Sequence, residues 1–350
     1  MANTFYLGVD LGTSRSCVAT STGKRIASTT CVGYPKDVVS RKRFGKDYLL
    51  GAEAVDNRLA LDMVWPLAEG VICNNEKSLE ATGLILRHLI LDAIPEKKAN
   101  DKVFVAIGVP AQASILNKKA LIDVTKHFVD KILIVSEPFS VAYAIDRLDE
   151  CLIVDIGAGT TDLCRMHGSV PAEEDQVTLK VAGNYLDDLL TKAILEKYPD
   201  VQLSQRIIKN IKEKHGYVSD MSGAVTVTLT KQGIPAEYEI SEILRKCCLQ
   251  LTDPISKAIQ QAIGSFDPDF QERLRNNVVV AGGGSRLKGI DVAIEKSLTL
   301  YGGGRATCVQ DAEYCGSLGA LKMCLEMPGD YWEKIAPADQ KEKRSKAKAG

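Results

Sequence analysis

The chain has 350 residues, of which 45% are hydrophobic and 25% charged, and its 44 basic and 45 acidic side chains leave a net charge of −1. This composition is typical of a globular protein and excludes a disordered, collagen-like or coiled-coil chain. Because the charge is nearly balanced, no global field would attract nucleic acid or an anionic membrane, and we expect no nucleic-acid partner.

No apolar run approaches the roughly 18 residues of a membrane span, and the N-terminal residues lack the basic and apolar regions of an export signal. The sequence therefore predicts a cytoplasmic protein without membrane insertion, in which the ten cysteines are reduced thiols. The four histidines show no paired metal-ligand spacing.

Two similar strand–turn–strand patterns occur along the chain. Residues 5–10 form a predicted strand that ends in Asp10, and a turn rich in Gly, Thr and Ser leads to a return strand. Residues 151–155 repeat this order, with Asp155 at the strand end and a Gly/Thr turn after it. Two copies, one in each half, predict a duplicated α/β unit.

A second pair of segments supports the duplication. Residues 103–109 and 277–281 are continuous apolar runs typical of buried strands, and each is preceded by a segment with helical spacing, at 79–91 and 255–266. A half-exposed strand is predicted at 224–230. Further helices are predicted at 112–128, 138–148, 184–197, 204–215, 241–263, 288–301 and 316–326, and Ala182-Gly183-Asn184 provides a stop and a cap before the helix at 184.

The Gly/Thr turns carry groups that bind phosphate. Their N–H and hydroxyl groups follow strands that end in Asp10 and Asp155, at the edge where α/β sheets place ligands. Two carboxylates facing phosphates require a cation, and Mg²⁺ suits this donor set. A third glycine-rich turn, 281–285, opens a helix and lets the backbone approach an anion closely. Each turn alone is more typical of a structural turn, but their joint occurrence favours a polyphosphate site.

The chain resembles the actin/heat-shock-chaperone/sugar-kinase superfamily of ATPases, and within it the bacterial actins. The resemblance extends from about residue 5 to about residue 332. The motifs that carry the resemblance are phosphate-1 (Gly8-Val-Asp-Leu-Gly-Thr-Ser14), phosphate-2 (Asp155-Ile-Gly-Ala-Gly-Thr-Thr-Asp162), the adenosine motif (Ala281-Gly-Gly-Gly-Ser-Arg286), and the stretches at 65–72 and 134–138. Narrower stretches at 32–38, 107–114, 135–139 and 174–179 resemble the bacterial actins that form magnetosome filaments.

The resemblance implies a role for each motif residue. Asp10 and Asp155 resemble the aspartates that hold Mg²⁺, Asp155 also acting in catalysis, and Glu137 resembles the residue that orients the attacking water. Asp162 resembles either a second water-positioning group or a cap of the turn. Phosphate contacts are implied for Gly12, Thr13, Ser14, Gly157, Ala158, Gly159 and Thr160.

The base and ribose of ATP or ADP are implied to contact a separate set of residues, which comprises Gly183, Lys212, Glu213, Gly283, Gly284 and Ser285. One departure concerns a lysine that actins carry late in phosphate-1. Arg15 or Cys17 stands near that place here.

The implied fold is α/β and actin-like, with two duplicated lobes, each a mixed sheet flanked by helices, and the nucleotide in the cleft between them. The implied subdomains are IA (1–30, 71–137 and 316–336), IB (31–70), IIA (138–181 and 249–315) and IIB (182–248), followed by a mobile basic tail at 337–350.

The implied function is an ATPase that polymerises with itself into cytoplasmic filaments, with magnetosome-associated proteins as further partners. Three alternatives stay open: a small-molecule kinase of the same superfamily, an MreB-like actin with another cargo, and a non-catalytic scaffold or chaperone-like ATPase. A kinase requires an acceptor pocket and usually larger inserted domains, for which 350 residues leave little room.

Overall fold

A computed structural model describes residues 2–219 and 223–335. It contains two compact units, formed by the described residues of Met1–Arg147 with Glu313–Gly350, and by those of Leu148–Ala312. The tail predicted at 337–350 lies outside the described residues, as does the last residue of the predicted segment 316–336. The division into four subdomains stays a prediction.

The strands are β1 (Thr4–Leu11), β2 (Arg15–Thr20), β3 (Arg25–Thr29), β4 (Val32–Pro35), β5 (Leu49–Leu50), β6 (Leu61–Val64), β7 (Leu67–Ala68), β8 (Val71–Ile72), β9 (Lys102–Val109), β10 (Lys131–Ser136), β11 (Cys151–Ile156), β12 (Thr161–Met166), β13 (Gln176–Leu179), β14 (Val201–Gln202), β15 (Thr226–Lys231), β16 (Ile234–Glu239), β17 (Val278–Ala281) and β18 (Ala306–Cys308).

The α-helices are α1 (Val38–Phe44), α2 (Gly51–Asp56), α3 (Glu76–Ala93), α4 (Ile115–Thr125), α5 (Glu137–Ala144), α6 (Gly183–Lys197), α7 (Gln205–His215), α8 (Ser241–Leu249), α9 (Thr252–Gly264), α10 (Pro268–Arg275), α11 (Ile290–Leu298), α12 (Cys315–Glu326) and α13 (Gly329–Lys334). Among the residues that the structure covers, no helix is long and apolar enough to cross a bilayer.

The first unit is built on a five-stranded sheet with the order β10-β9-β1-β2-β3. β1 pairs antiparallel with β2 and parallel with β9, and β9 pairs parallel with β10. Leu7 and Val9 of β1 are fully buried in a core that includes Leu86 and Leu89 of α3. A smaller sheet, β5-β4-β6, follows β3 in the chain.

The second unit repeats this sheet, with the order β13-β12-β11-β17-β18. β11 pairs antiparallel with β12 and parallel with β17, and β17 pairs parallel with β18. The strands β1, β2, β3, β9 and β10 of the first unit thus correspond to β11, β12, β13, β17 and β18. The predicted duplication is confirmed, and the two apolar runs occupy equivalent strands, β9 and β17, in the two sheets.

Helix α12 returns late in the chain to pack against β1 of the first unit. This packing depends on Gly8, because a Cβ at that position would lie 2.0 Å from the backbone oxygen of Ser317 and 2.1 Å from the backbone nitrogen of Leu321. Gly319 allows the other face of α12 to approach α5, since a Cβ there would lie 1.7 Å from the backbone oxygen of Ser140.

Two local predictions were wrong. The helix predicted at 241–263 is divided into α8 and α9. Pro254 explains the break, because it lacks an N–H and its ring would clash with the carbonyl group four residues earlier. Asn184 is not a cap: α6 begins at Gly183, and the Asn184 N–H donates to the carbonyl oxygen of Ala158 at 2.7 Å.

Candidate functional site

The carboxyl edge of the first sheet brings together two acidic residues from different strands. Asp10 lies opposite Gly108 in the register of β1 and β9, and Glu137 follows the last residue of β10 directly. A Cβ at Gly108 would lie 3.4 Å from Cγ of Glu137 and 4.0 Å from Cα of Asp10. The glycine therefore leaves room for both acidic residues at one end of the sheet.

The carboxyl group of Asp10 lies under the first turn of α12. A Cβ at Gly316 would be 2.8 Å from its Oδ2 atom, so the helix backbone approaches the carboxylate closely. Burial raises the pKa of Asp10 to about 6. A cation beside this group would favour its ionised form.

The phosphate-1 turn is fixed by a buried threonine. The Thr30 hydroxyl donates to the carbonyl oxygen of Gly12 at 2.8 Å and lies 2.8 Å from the Ser16 hydroxyl. The Thr13 hydroxyl accepts the N–H of Gly70 at 2.8 Å, which leaves its own proton available to a ligand. The turn is therefore preorganised by side chains of its own unit.

Neither residue near the place of the actin lysine is a simple substitute for it. Arg15 forms an ion pair with Glu313, and both side chains are partly exposed. Cys17 is a buried residue of β2. The structure therefore commits the cation of Arg15 to a carboxylate in the same unit.

The carboxyl edge of the second sheet places Asp155 beside two other strands. In the register of β11 it lies opposite Asp162 of β12 and Ala281 of β17. A Cβ at Gly282 would lie 2.3 Å from Oδ1 of Asp155, and the φ of 70° at Gly282 is one that glycine adopts without strain. Asp162 is buried, and its Oδ1 accepts the hydroxyl of Thr178 at 2.5 Å.

The phosphate-2 turn aims two backbone amides in one direction. The Gly157 N–H closes the turn by donating to the oxygen of Thr160 at 2.8 Å. The oxygens of Gly157 and Ala158 accept the first two N–H groups of α6, at 3.1 and 2.7 Å. Because C=O and N–H point in opposite directions in a trans peptide, the N–H groups of Ala158 and Gly159 point away from α6. Successive amides of this kind form an anion-binding concavity.

The third glycine-rich turn is a short 3-10 helix over Gly283–Arg286. Gly283 is exposed and faces open space, whereas a Cβ at Gly284 would lie 2.2 Å from Cγ2 of Ile156. The Ser285 hydroxyl donates to the oxygen of Gly282 at 2.8 Å. Gly283 is thus open to a ligand, while Gly284 and Ser285 stabilise the turn.

The two charged residues predicted at the base and ribose differ in environment. The ammonium of Lys212 lies 2.8 Å from Oδ1 of Asp187 and donates to the oxygen of Gly183 at 2.7 Å. Glu213 is half-exposed and lies 3.8 Å from the ammonium of Lys209. Lys212 therefore already has two partners in its own unit.

Within residues 2–219 and 223–335, no cluster of three or more His, Cys, Asp or Glu side chains could hold a metal by itself. Mg²⁺ does not require one, because it is usually held by one or two carboxylates together with waters and phosphate oxygens. Asp10 and Asp155 each lie beside a Gly/Thr turn of their own sheet, and each carboxylate is by itself a ligand of this kind.

Some residues that shape these turns carried no motif signal. Thr30 lies just beyond β3, and only the fold brings its hydroxyl to Gly12. Gly108 and Asp187 also belong to no motif that could be recognised in the sequence. Asp187 does lie one helical turn after Gly183, and this spacing places the two residues on one face of α6.

Comparison with known proteins gives consistent results. The family model described as MreB/Mbl protein matches residues 4–327. The actin-like protein MamK of Magnetospirillum gryphiswaldense is 40% identical over 331 residues, which cover 94% of this chain and 91% of the relative. A structure of the MamK double helical filament has a TM-score of 0.90 and 39% identity, covering 93% of this chain and 100% of that one. A non-polymerising MamK mutant bound to AMPPNP has a TM-score of 0.72 and 38% identity, with the same coverage.

Proposed function

The chain belongs to the MreB/Mbl family, and on this premise we propose that it binds and hydrolyses ATP and polymerises into actin-like filaments. The observation that carries the proposal is the repeated sheet edge. Each unit has a central strand whose penultimate residue is an aspartate, and this strand continues into a turn whose backbone is fixed by hydrogen bonds. Relatives with the same fold include the MamK double helical filament and a non-polymerising MamK mutant bound to AMPPNP.

In this proposal the phosphates of ATP contact both turns. The N–H groups of Ala158 and Gly159 are aimed to donate to phosphate oxygens, and the Thr13 hydroxyl also has a proton to donate. Gly12 and Ser14 shape the first turn, as Gly157 and Thr160 shape the second. Asp10 and Asp155 would hold Mg²⁺, which would neutralise charge on the phosphates.

Hydrolysis is assigned to Glu137, which would orient the attacking water. Phosphoryl transfer depends on positioning and charge neutralisation more than on a strong base, so one well-placed carboxylate is sufficient. The first position of α5 suits this role, because the sheet and Gly108 fix its backbone beside Asp10. Asp162 is proposed either as a second water-positioning group or as a cap of the turn, and the hydrogen bond that it accepts from Thr178 links it to β13.

The filaments would be cytoplasmic and would align magnetosomes, in keeping with the relatives named MamK. We further propose the four-subdomain organisation of actins. The small sheets β5-β4-β6 and β14-β15-β16 lie in the ranges assigned to IB and IIB.

The proposal is tested with purified full-length protein and Mg²⁺-ATP. We expect calorimetric binding of ATP, ATP-dependent light scattering and pelleting, filaments in electron micrographs, and phosphate release. A protein that stays monomeric across ionic strengths and nucleotides would contradict polymerisation, and absence of binding heat would contradict the nucleotide site.

The Glu137→Ala variant separates hydrolysis from assembly. We expect phosphate release to fall by about a hundredfold, the low end of the effect of a positioned catalytic group, while filaments form and persist longer. Glu96→Ala, at an exposed position of the same unit, is the matched control. Normal phosphate release by Glu137→Ala would exclude the assigned role.

A further inference from the structure

The ion pair of Lys212 and Asp187 is largely withdrawn from water. The two side chains are 12% and 18% exposed, and their charged atoms are 2.8 Å apart. Burial raises the pKa of the Asp187 carboxyl, and the neighbouring Lys212 ammonium opposes this shift. A surface ion pair contributes little, but removal of one partner of a buried pair leaves an uncompensated charge.

This pair is joined to the phosphate-2 turn by a short chain of contacts. Lys212 donates to the oxygen of Gly183, whose N–H donates to the oxygen of Gly157. A Cβ at Gly183 would lie 3.3 Å from the Lys212 ammonium and 3.2 Å from Cα of Ala158. The ammonium, the first residue of α6 and the turn are therefore packed together without spare room.

The α6 N-terminus is not available as an anion site, because its first two N–H groups are spent on the turn. Their partners are the oxygens of Gly157 and Ala158, and these bonds set the opposite direction of the Ala158 and Gly159 amides. A shift of α6 would rotate both peptide planes and misdirect both amides.

We infer that Asp187 and Lys212 are positioning residues, which hold α6 against the phosphate-2 turn so that its amides face the polyphosphate. The inference rests on the proposed nucleotide site and changes the expected part of Lys212. The lysine acts on the phosphate end of the ligand through the backbone of Gly183, rather than on the base or ribose.

The test separates the two ends of the ligand. Displacement of a fluorescent ATP analogue by Mg²⁺-tripolyphosphate and by adenosine is measured for wild type, Asp187→Asn and Lys212→Met. We expect both variants to bind tripolyphosphate about tenfold more weakly, the effect of breaking one buried polar contact, with adenosine affinity unchanged. Asp188→Asn, on the exposed neighbour in the same helix, is the control and should match wild type.

Three outcomes would overturn the inference. Loss of adenosine affinity with unchanged tripolyphosphate affinity would make Lys212 a base or ribose contact, and unchanged affinity for both ligands would remove any role. Rescue is the third criterion: Lys212→Arg, which keeps a cation, should restore at least part of the lost affinity, and its failure to do so would count against the pair. If wild type binds neither tripolyphosphate nor ATP, the proposed function itself fails.

Hydrogen exchange measured without ligand distinguishes a local change at the turn from a general loss of stability. In both variants we expect faster exchange in the peptide that covers 156–162 and at the start of α6, with the strands of the first unit as protected as in wild type. Uniformly faster exchange would show general destabilisation and would contradict a local positioning role.

Discussion

The two units carry the same five-stranded sheet, yet they secure their phosphate turns by different means. In the first unit a side chain does so, since the Thr30 hydroxyl bonds the oxygen of Gly12. In the second unit the backbone of α6 bonds two consecutive turn carbonyls. The comparison shows that the duplicated sheet determines where each turn lies, whereas the hydrogen bonds that hold the turn differ between the two units. The bond from Thr30 can therefore be removed by a single hydroxyl-to-methyl change, whereas the two backbone bonds from α6 cannot.

The largest expected effect tests the helix packing that distinguishes the units. Two residues before Asp10 in the first unit stands Gly8, and two residues before Asp155 in the second stands the fully buried Ile153. Gly8→Ala would place a Cβ 2.0 Å from the backbone of α12, so we expect the free energy of unfolding to fall by about 3 kcal/mol. Urea unfolding measures it.

The control for this change is Gly83→Ala in α3. A Cβ there would meet its nearest neighbour at an ordinary 3.6 Å, and replacing a helical glycine should stabilise by about 0.5–1 kcal/mol. An unchanged urea midpoint for Gly8→Ala would show that α12 does not pack on β1 as described.

A smaller effect is expected for Thr30→Val, which keeps the shape but removes the hydroxyl. The change leaves the buried oxygen of Gly12 without this donor, and we expect a loss of about 1–3 kcal/mol in unfolding free energy together with weaker ATP binding. Calorimetry and urea unfolding measure the two. Thr226→Val, at an exposed position of β15, should leave both unchanged. ATP affinity equal to wild type in Thr30→Val would remove the distinction between the two turns.

The last effect varies with pH and concerns Asp10 in protein free of nucleotide and metal. Its pKa of about 6, against an ordinary 3.8, means that the folded state holds the proton more tightly than the unfolded chain. The contribution of Asp10 to stability is therefore complete below pH 3.8 and lost as pH rises to about 6. Asp10→Asn should remove this slope and raise the unfolding free energy at pH 7 by up to about 3 kcal/mol, the full value of the difference between the two pKa values.

Urea unfolding between pH 4 and 7.5 measures the slope. Asp37→Asn is the contrasting variant, because hydrogen bonds from Ser40 lower the pKa of Asp37 and its contribution is lost as pH falls. A wild-type slope in Asp10→Asn would assign the titration to another group.

The sequence was sufficient to predict the duplication, because strand, aspartate and glycine turn recur together and each is a local signal. It also located the turn residues, whose chemistry depends on backbone groups next to them in the chain. It did not reveal Thr30, Gly108 or Asp187, whose roles arise only when strands and helices from distant segments meet. Pro254 indicates a break between two helices, but the helical spacing of apolar residues on both sides of it led to the prediction of a single helix. Asn184 was misassigned because α6 takes its cap from the backbone of another segment.

The discontinuity of the first unit has a consequence for synthesis on the ribosome. The second unit is a single stretch, Leu148–Ala312, whereas the first needs Glu313 onward to cover β1. Until α12 has been made, the space that Gly8 leaves for it beside β1 stays open in the nascent chain. Domains generally fold as they emerge from the ribosome. We therefore expect the second unit to reach its native state first, while the first unit stays incomplete until α12 has been synthesised.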